Sequence, residues 1–226
     1  MVNARECITE STKVLTSLQQ SVHQEAFGFP KDGLKGVKGL LLLNSKKGAL
    51  GLGYETGNGI AINVGYNDDG SMYTSGPVPL KLSKLTVGVQ LGFSNIYTLV
   101  AAHHYNQMEK LLSSGRDFIM GKDINIMMYD YQHASKAAIQ HAAGRGNDDI
   151  LVPGDPVKVV SVSDSLMFVD FSLYGGSLGV DTELLAEMYS KDTTAMDVLS
   201  GRTTTPEPLK GYMDDLLTQL TRLASL

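Results

Sequence analysis

Between Leu34 and Phe93 the chain repeats one texture, short runs of Val, Ile, Leu and Tyr broken by glycine, as in GVKGLLLLN, GALGLGY, GIAINVGY and TVGVQLGF. β-Branched and aromatic residues suit the pleated, half-buried surface of a sheet. Glycine inside a strand weakens it unless a bulge, a bend or another backbone needs the space a side chain would fill. Of the 24 glycines in the 226 residues, twelve fall in this stretch, so the pattern predicts a curved, bulged sheet. Asn67-Asp68-Asp69-Gly70 is a turn signal within it. SNIYTLVAA (94–102) continues the strand series, and 124–131 is strand-like. VKVVSVS and LMFVDFSLY, between Val157 and Tyr174, predict a hairpin around Ser163-Asp164.

Helical periodicity frames this sheet. Cys7, Ile8, Val14, Leu15, Leu18, Val22 and Ala26 recur near 3.6-residue spacing, predicting an amphipathic helix from Asn3 to Glu25. Tyr105, Met108, Leu111 and Leu112 fit a short helix. The stretch His133 to Arg145 is open between a helix and an irregular excursion. Three patches close the chain: Thr182–Ser190, Thr194–Leu199 and Pro208–Leu223, the last with Leu209, Met213, Leu216, Leu217 and Leu220 on one face. The expected class is α+β, a curved Gly-rich antiparallel sheet or half-barrel flanked by N-terminal and C-terminal helices. Residues 1–28 form the N-terminal helix of this arrangement, 29–201 the α+β body, and 202–226 a C-terminal helix packed on the same domain.

A chain of this length buries roughly 70% of its unfolded surface, so the core needs no disulfide or metal. A lone Cys7 forms no internal disulfide and fits a reducing compartment. The longest leucine run, Leu40–Leu43, is far short of the roughly 20 apolar residues of a membrane span, which argues against an integral membrane protein. Residues 1–10 show no secretory signal, and Val2 excludes N-myristoylation. A clipped transit peptide leaves no trace in such a sequence. The expected location is cytoplasmic, peripheral to membranes.

The net charge of −5 hides an asymmetry. Residues 1–60 carry seven Lys/Arg against five Asp/Glu, residues 61–122 five against four, and residues 123–226 seven against fifteen. The front is mildly basic and the back acidic, which bears on partners rather than on fold.

Enzymatic motifs fail on context. Gly175-Gly176-Ser177-Leu178-Gly179 satisfies G-x-S-x-G, but all five histidines (23, 103, 104, 133 and 141) precede Ser177, whereas a nucleophile elbow takes its histidine from later in the chain. The sequence reads better as a Gly-rich turn. Gly51, Gly53 and Gly57 miss the dinucleotide fingerprint by one residue and lead into strand-like sequence, without the helix N-terminus a pyrophosphate needs. No P-loop occurs. His103 and His104 diverge on any element, and His133 and His141 are not at the i, i+4 spacing of a helical zinc pair. No catalytic residue, metal or cofactor is assigned. Nucleic acid is an unsuitable partner, since there is no basic stripe with interleaved aromatics and no Trp. What exists is a lysine group, Lys31, Lys35, Lys38, Lys46 and Lys47, bracketing one strand. On a hairpin these could share a face and bind the phosphates of anionic lipid headgroups. They could equally be solubilising lysines on a sheet edge.

Four blocks in order carry a family likeness: FPKDGLKGVKGLLLL, then KKGALGLGYETGNGIAI, then DGSMYTSGPVPL with KLTVGVQLGFSNIYTLV, and finally LMFVDFSLYGGSLGVDTELLAEMYSKDTTAMDVLSG. From about Phe27 to Gly201 the chain resembles the SYLF domain family. Where that family has Trp in its aromatic-Ser-Pro turn, this chain has Tyr73. The resemblance implies a non-enzymatic domain that binds phosphoinositide-containing membranes and, in some relatives, actin filaments. It also implies a lipid contact through a basic N-terminal amphipathic helix, which here carries Arg5 and Lys13 against Glu6, Glu10 and Glu25. The alternative is an accessory subunit of a larger protein assembly that kept the fold without the lipid role, its helical arms (3–25 and 208–223) packing on a partner.

Overall fold

The computed structural model describes residues 3–23, 34–113, 119–126, 138–140, 158–165 and 169–226. In chain order these form α1 (Ala4–His23), β1 (Gly39–Tyr66), β2 (Met72–Thr74), β3 (Val78–Ala102), α2 (Tyr105–Ser113), β4 (Ile119–Ile126), β5 (Ala138–Gln140), β6 (Lys158–Ser165), β7 (Val169–Val180), α3 (Thr182–Met188), α4 (Ala195–Leu199) and α5 (Glu207–Ala224). The strands make one antiparallel sheet. The α+β class with helices at both ends of a curved sheet is therefore observed.

Strand β1 is 28 residues long. Straight, it would run about 90 Å at about 3.3 Å per residue, while the 20-residue helix α1 spans only about 30 Å. The strand resolves this mismatch by bending. It pairs with β3 from Gly39↔Ala102 to Leu50↔Leu91, and again from Leu52↔Val87 to Ala61↔Val78, with a register shift between Leu50 and Leu52. Gly51 sits at that shift with φ 77°, a conformation side chains disfavour. Beyond the bend the two arms of β1 return to each other, and the Val64 amide donates to the Lys38 carbonyl at 2.9 Å. The crossing is close. A Cβ on Gly57 would lie 2.6 Å from the Asn44 carbonyl oxygen, and one on Gly59 would collide with the Leu42 carbonyl.

Strand β3 carries two partners in succession on its other edge. Residues Ser94–Ala101 pair with β6 and residues Leu80–Leu91 with β7. The hairpin expected around Ser163-Asp164 is thus not present, because both residues lie inside β6, opposite Ile96 and Asn95. A 25-residue strand offers an edge long enough for two segments, and they meet opposite its bend. The strand expected over 124–131 falls on the end of β4 as far as Ile126, and its remaining residues lie outside the described ones; within 133–145 only β5 lies among the described residues. The Asn67–Gly70 turn is built as its residues suggest, with Gly70 at φ 82° and the Asp69 carboxylate accepting from the Ser71 amide at 2.8 Å.

Both faces of the folded ribbon are buried near the crossing. On the outer face Leu40, Leu42, Ile60, Ile62 and Leu99 pack against Cys7, Ile8, Val14, Leu15 and Leu18 of α1 and Leu209, Met213, Leu216 and Leu220 of α5. On the inner face Leu41, Leu43, Ala61, Val78, Leu80 and Val100 pack with Met108, Leu112, Leu185, Val198 and Leu199 from α2, α3 and α4. Leu40–Leu43 is an unbroken apolar run because alternate side chains enter two cores. The helices start on local signals. Asn3 Oδ1 accepts from the Glu6 amide at 3.0 Å, and Thr194 with Asp197 forms a reciprocal capping box for α4. Hydrogen bonds from Thr194 hold the Asp197 carboxyl below its ordinary pKa.

The crossing makes a graded stability test. Gly59→Ala is expected to cost about 3 kcal/mol or more, since backbone rather than a side chain must move. Gly211→Ala, in α5 with open space around it, is expected to stabilise by about 0.5–1 kcal/mol. Urea midpoints of the two variants check both signs.

Candidate functional site

Successive strand residues point to opposite faces, and this divides the lysine group. Lys31 lies outside the described residues. Lys35 is exposed beside the groove between α5 and the β1–β2 turn. Lys38 is half-buried at the seam, its amide donating to the Ala102 carbonyl at 2.8 Å. Lys46 is exposed on the outer face, and Lys47, one residue on, points inward and is 2% exposed. The structure does not gather them into one cluster. Lys81 and Lys84, absent from the expected group, follow the same rule, outward and inward respectively.

Inside the ribbon a buried polar nest forms that was not anticipated. Glu55, 1% exposed, stands opposite Lys84 in register. Its carboxylate accepts from Ser45 Oγ at 2.6 Å and from Lys84 Nζ at 3.2 and 3.3 Å. The signal was available in principle, since Glu55 is the one carboxylate in β1 and β3, but only the bend shows which face it occupies.

On the outer face a groove of ≈ 640 Å³ separates the helices from the strands. Its helical wall bears Glu6, Glu10, Asp181, Glu183 and Glu187, and its strand wall bears Lys46 and Lys81. Glu10 is held by Lys13 and by the Asn44 amide, both at 2.6 Å. Beneath α1, the Cys7 thiol donates to the Gly59 carbonyl at 3.1 Å. Burial, with the nearby Asp181 charge, pushes that thiol up to about 12.

Farther along the same face, past the reach of α1 and α5, the bend leaves six large apolar side chains in water. Leu50 is 81% exposed, Phe93 73%, Leu52 60%, Tyr54 55%, Leu85 52% and Leu91 48%. Each such side chain forgoes a large part of the roughly 1.5–3 kcal/mol that full burial contributes.

The rejected motifs also find their places. Ser177 lies within β7 opposite Ser83, so its glycine-rich surroundings are strand, not the turn expected nor an elbow leading into a helix. Gly51–Gly57 lies wholly within β1. Among the described residues no three His, Cys, Asp or Glu side chains converge as metal ligands. His133 and His141 are outside the described residues.

The sequence model of one protein family, described as Ysc84: Las17-binding protein actin regulator, matches residues 83–220. The chain belongs to the Ysc84 (SYLF) family. The Ysc84 match runs from within β3 into α5, taking in KLTVGVQLGFSNIYTLV and the closing block, while FPKDGLKGVKGLLLL, KKGALGLGYETGNGIAI and DGSMYTSGPVPL lie before it. No curated protein and no solved structure matches the chain at a significant level. Two expectations attached to the resemblance change in this Ysc84 member. Helix α1 has its apolar face buried on the sheet, leaving none for a bilayer, and α5 packs on α1, where Gln19 Nε2 donates to the Gln219 carbonyl at 2.7 Å. The described apolar face of α5 is likewise turned onto the sheet and α1, through Leu209, Met213, Leu216 and Leu220.

Two outcomes follow for the buried groups. Glu55→Ala removes the carboxylate that holds Ser45 and the part-buried Lys84 ammonium and is expected to cost about 1–3 kcal/mol in urea unfolding, whereas a Glu55→Met/Lys84→Met double variant recovers most of it. Burial raises the folded Cys7 thiol from an ordinary 9.0 to about 12, so its contribution is intact below pH 9 and falls away as pH rises toward 12. The drop in urea midpoint between pH 8 and pH 11 is expected to be smaller in Cys7→Ala than in the native chain.

Proposed function

We propose that this chain is a non-enzymatic, peripheral binding domain that engages anionic lipid headgroups, phosphoinositides among them, at a cytoplasmic membrane surface and works beside the actin cytoskeleton. The actin part is supported by membership of a family described as Las17-binding and actin-regulating. The observation that carries the lipid part is the charge of the β1–β3 ribbon: Lys46, Lys47, Lys81 and Lys84 against Glu55 alone, in a chain of net charge −5. Lys46, with Lys81 on the neighbouring strand, serves as the headgroup contact; Lys35 and Lys38 stand at the seam end of the ribbon and Lys47 in its interior. No helix among the described residues is long and apolar enough to cross a membrane.

A second reading, an accessory subunit of a protein assembly, draws support from the acidic helical wall of the groove, which suits a basic protein segment. Co-sedimentation separates the two. The native chain is expected to pellet with phosphoinositide-containing vesicles and with filamentous actin. Lys46→Ala/Lys81→Ala is expected to weaken vesicle binding roughly 30-fold, at about 1 kcal/mol per lysine. Unchanged vesicle binding by the double variant would remove the lysines from the contact, and no pelleting with vesicles of any composition would favour the assembly reading.

A further inference from the structure

We infer that the bend of the β1–β3 ribbon is the part of the protein that enters the lipid surface, with Leu50, Leu52, Leu91 and Phe93 reaching the acyl boundary and Lys46 and Lys81 standing at headgroup level. The inference rests on the lipid-binding reading above and names the surface that performs it.

Register places these side chains together. Leu50 is opposite Leu91, and Tyr54 is opposite Leu85. Phe93 is opposite Gly48 and lies over it, 3.3 Å from where a Cβ would be. They share a face with Lys46 and with Lys81, which is opposite Asn58. The missing side chains of Gly57 and Gly59 point across at the other arm of β1, so residues of opposite parity project away from it, on the outside of the bend. The apolar group is therefore a protrusion and not a groove. A protrusion of leucines and a phenylalanine needs a deformable apolar medium to receive it, which a bilayer supplies.

Charge selects the same occupant. Strand β3 contains no carboxylate, and the one in β1 is buried against Lys84. Lys46 and Lys81 are exposed, and their ammonium groups make no ion pair or hydrogen bond among the described residues. Two copies of the chain meeting bend to bend would bring these ammonium groups together, whereas an anionic surface meets them with opposite charge. The aliphatic stems of lysines allow them to stand over an apolar contact with their heads in the headgroup layer. Tyr54, its hydroxyl 3.3 Å from Ser83 Oγ, is suited to the same layer.

The absence of Trp makes a direct test possible in the full chain. In a Phe93→Trp variant the indole is the sole such fluorophore, and it reports where the bend goes. With vesicles of phosphatidylcholine containing phosphatidylserine or a phosphoinositide, its emission is expected to shift to the blue and to be quenched by brominated acyl chains. A Tyr212→Trp variant, reporting from α5, is expected to show neither. L50S/F93S is expected to bind these vesicles about tenfold or more weaker than the native chain, with an unchanged thermal midpoint because both side chains are exposed. Vesicle binding with an unshifted, unquenched Phe93→Trp signal would overturn the inference and leave the headgroup reading standing. Failure of the native chain to bind any of these vesicles would overturn that reading, and the inference with it. A concentration-dependent dimer in vesicle-free solution, lost in L50S/F93S, would assign the face to a second copy and overturn the inference alone.

Discussion

Everything in this fold depends on one backbone crossing, where the two arms of β1 pass with Gly57 and Gly59 against the carbonyls of Asn44 and Leu42. Interiors are packed too densely to absorb an extra methyl group at such a contact. Helix α1 anchors across it: the Cys7 thiol reaches the Gly59 carbonyl at 3.1 Å, and Ser11, bonded to the Cys7 carbonyl at 2.8 Å, also approaches the Leu42 carbonyl. One helical turn thus touches residues 17 positions apart in a single strand. The seam bond from Val64 to Lys38 completes the closure.

From that crossing follows the division of the outer face. Helices of 20 and 18 residues cover the crossing and then end, while the strands continue. Next comes the groove, with acidic helices on one side and lysine-bearing strands on the other, and then the bend, where nothing from the described residues covers Leu50 or Phe93. The amphipathic helices turn their apolar faces inward, so the exposed apolar side chains of the described outer face lie at the far end of the ribbon.

Much of this architecture was legible from residue order. The periodicity of Cys7, Ile8, Leu15 and Leu18 located α1, the Asn67–Gly70 turn formed with the expected residues, and Leu209, Met213, Leu216 and Leu220 face the core as their spacing implied. Glycine frequency pointed to curvature, but not to which glycine would meet a backbone, because that depends on contacts between residues distant along one strand. Parity is why the lysine group did not survive as a unit: Lys46 and Lys47 are neighbours in sequence and opposite in space. The Ser163-Asp164 hairpin does not form for a related reason, since local turn chemistry is silent about a long strand that accepts two partners in line. Leu50, Leu52 and Tyr54 alternate with Gly51, Gly53 and Glu55 as any half-buried strand does. Only the lengths of β1 and α1 together show that this part of the face lies beyond cover.

The central claim is that β1 doubles back on itself, and a pair of spin labels tests it most directly. Lys46 and Thr56 are both exposed and line one groove, on opposite arms of the bend. Nitroxides attached to a Lys46→Cys/Thr56→Cys variant, in which the buried Cys7 stays unlabelled, should give strong dipolar broadening in frozen solution compared with the single labels. A spectrum equal to the sum of the single-label spectra, as a straight strand holding the two sites about 33 Å apart would give, would contradict the doubled-back ribbon and with it the exposed bend.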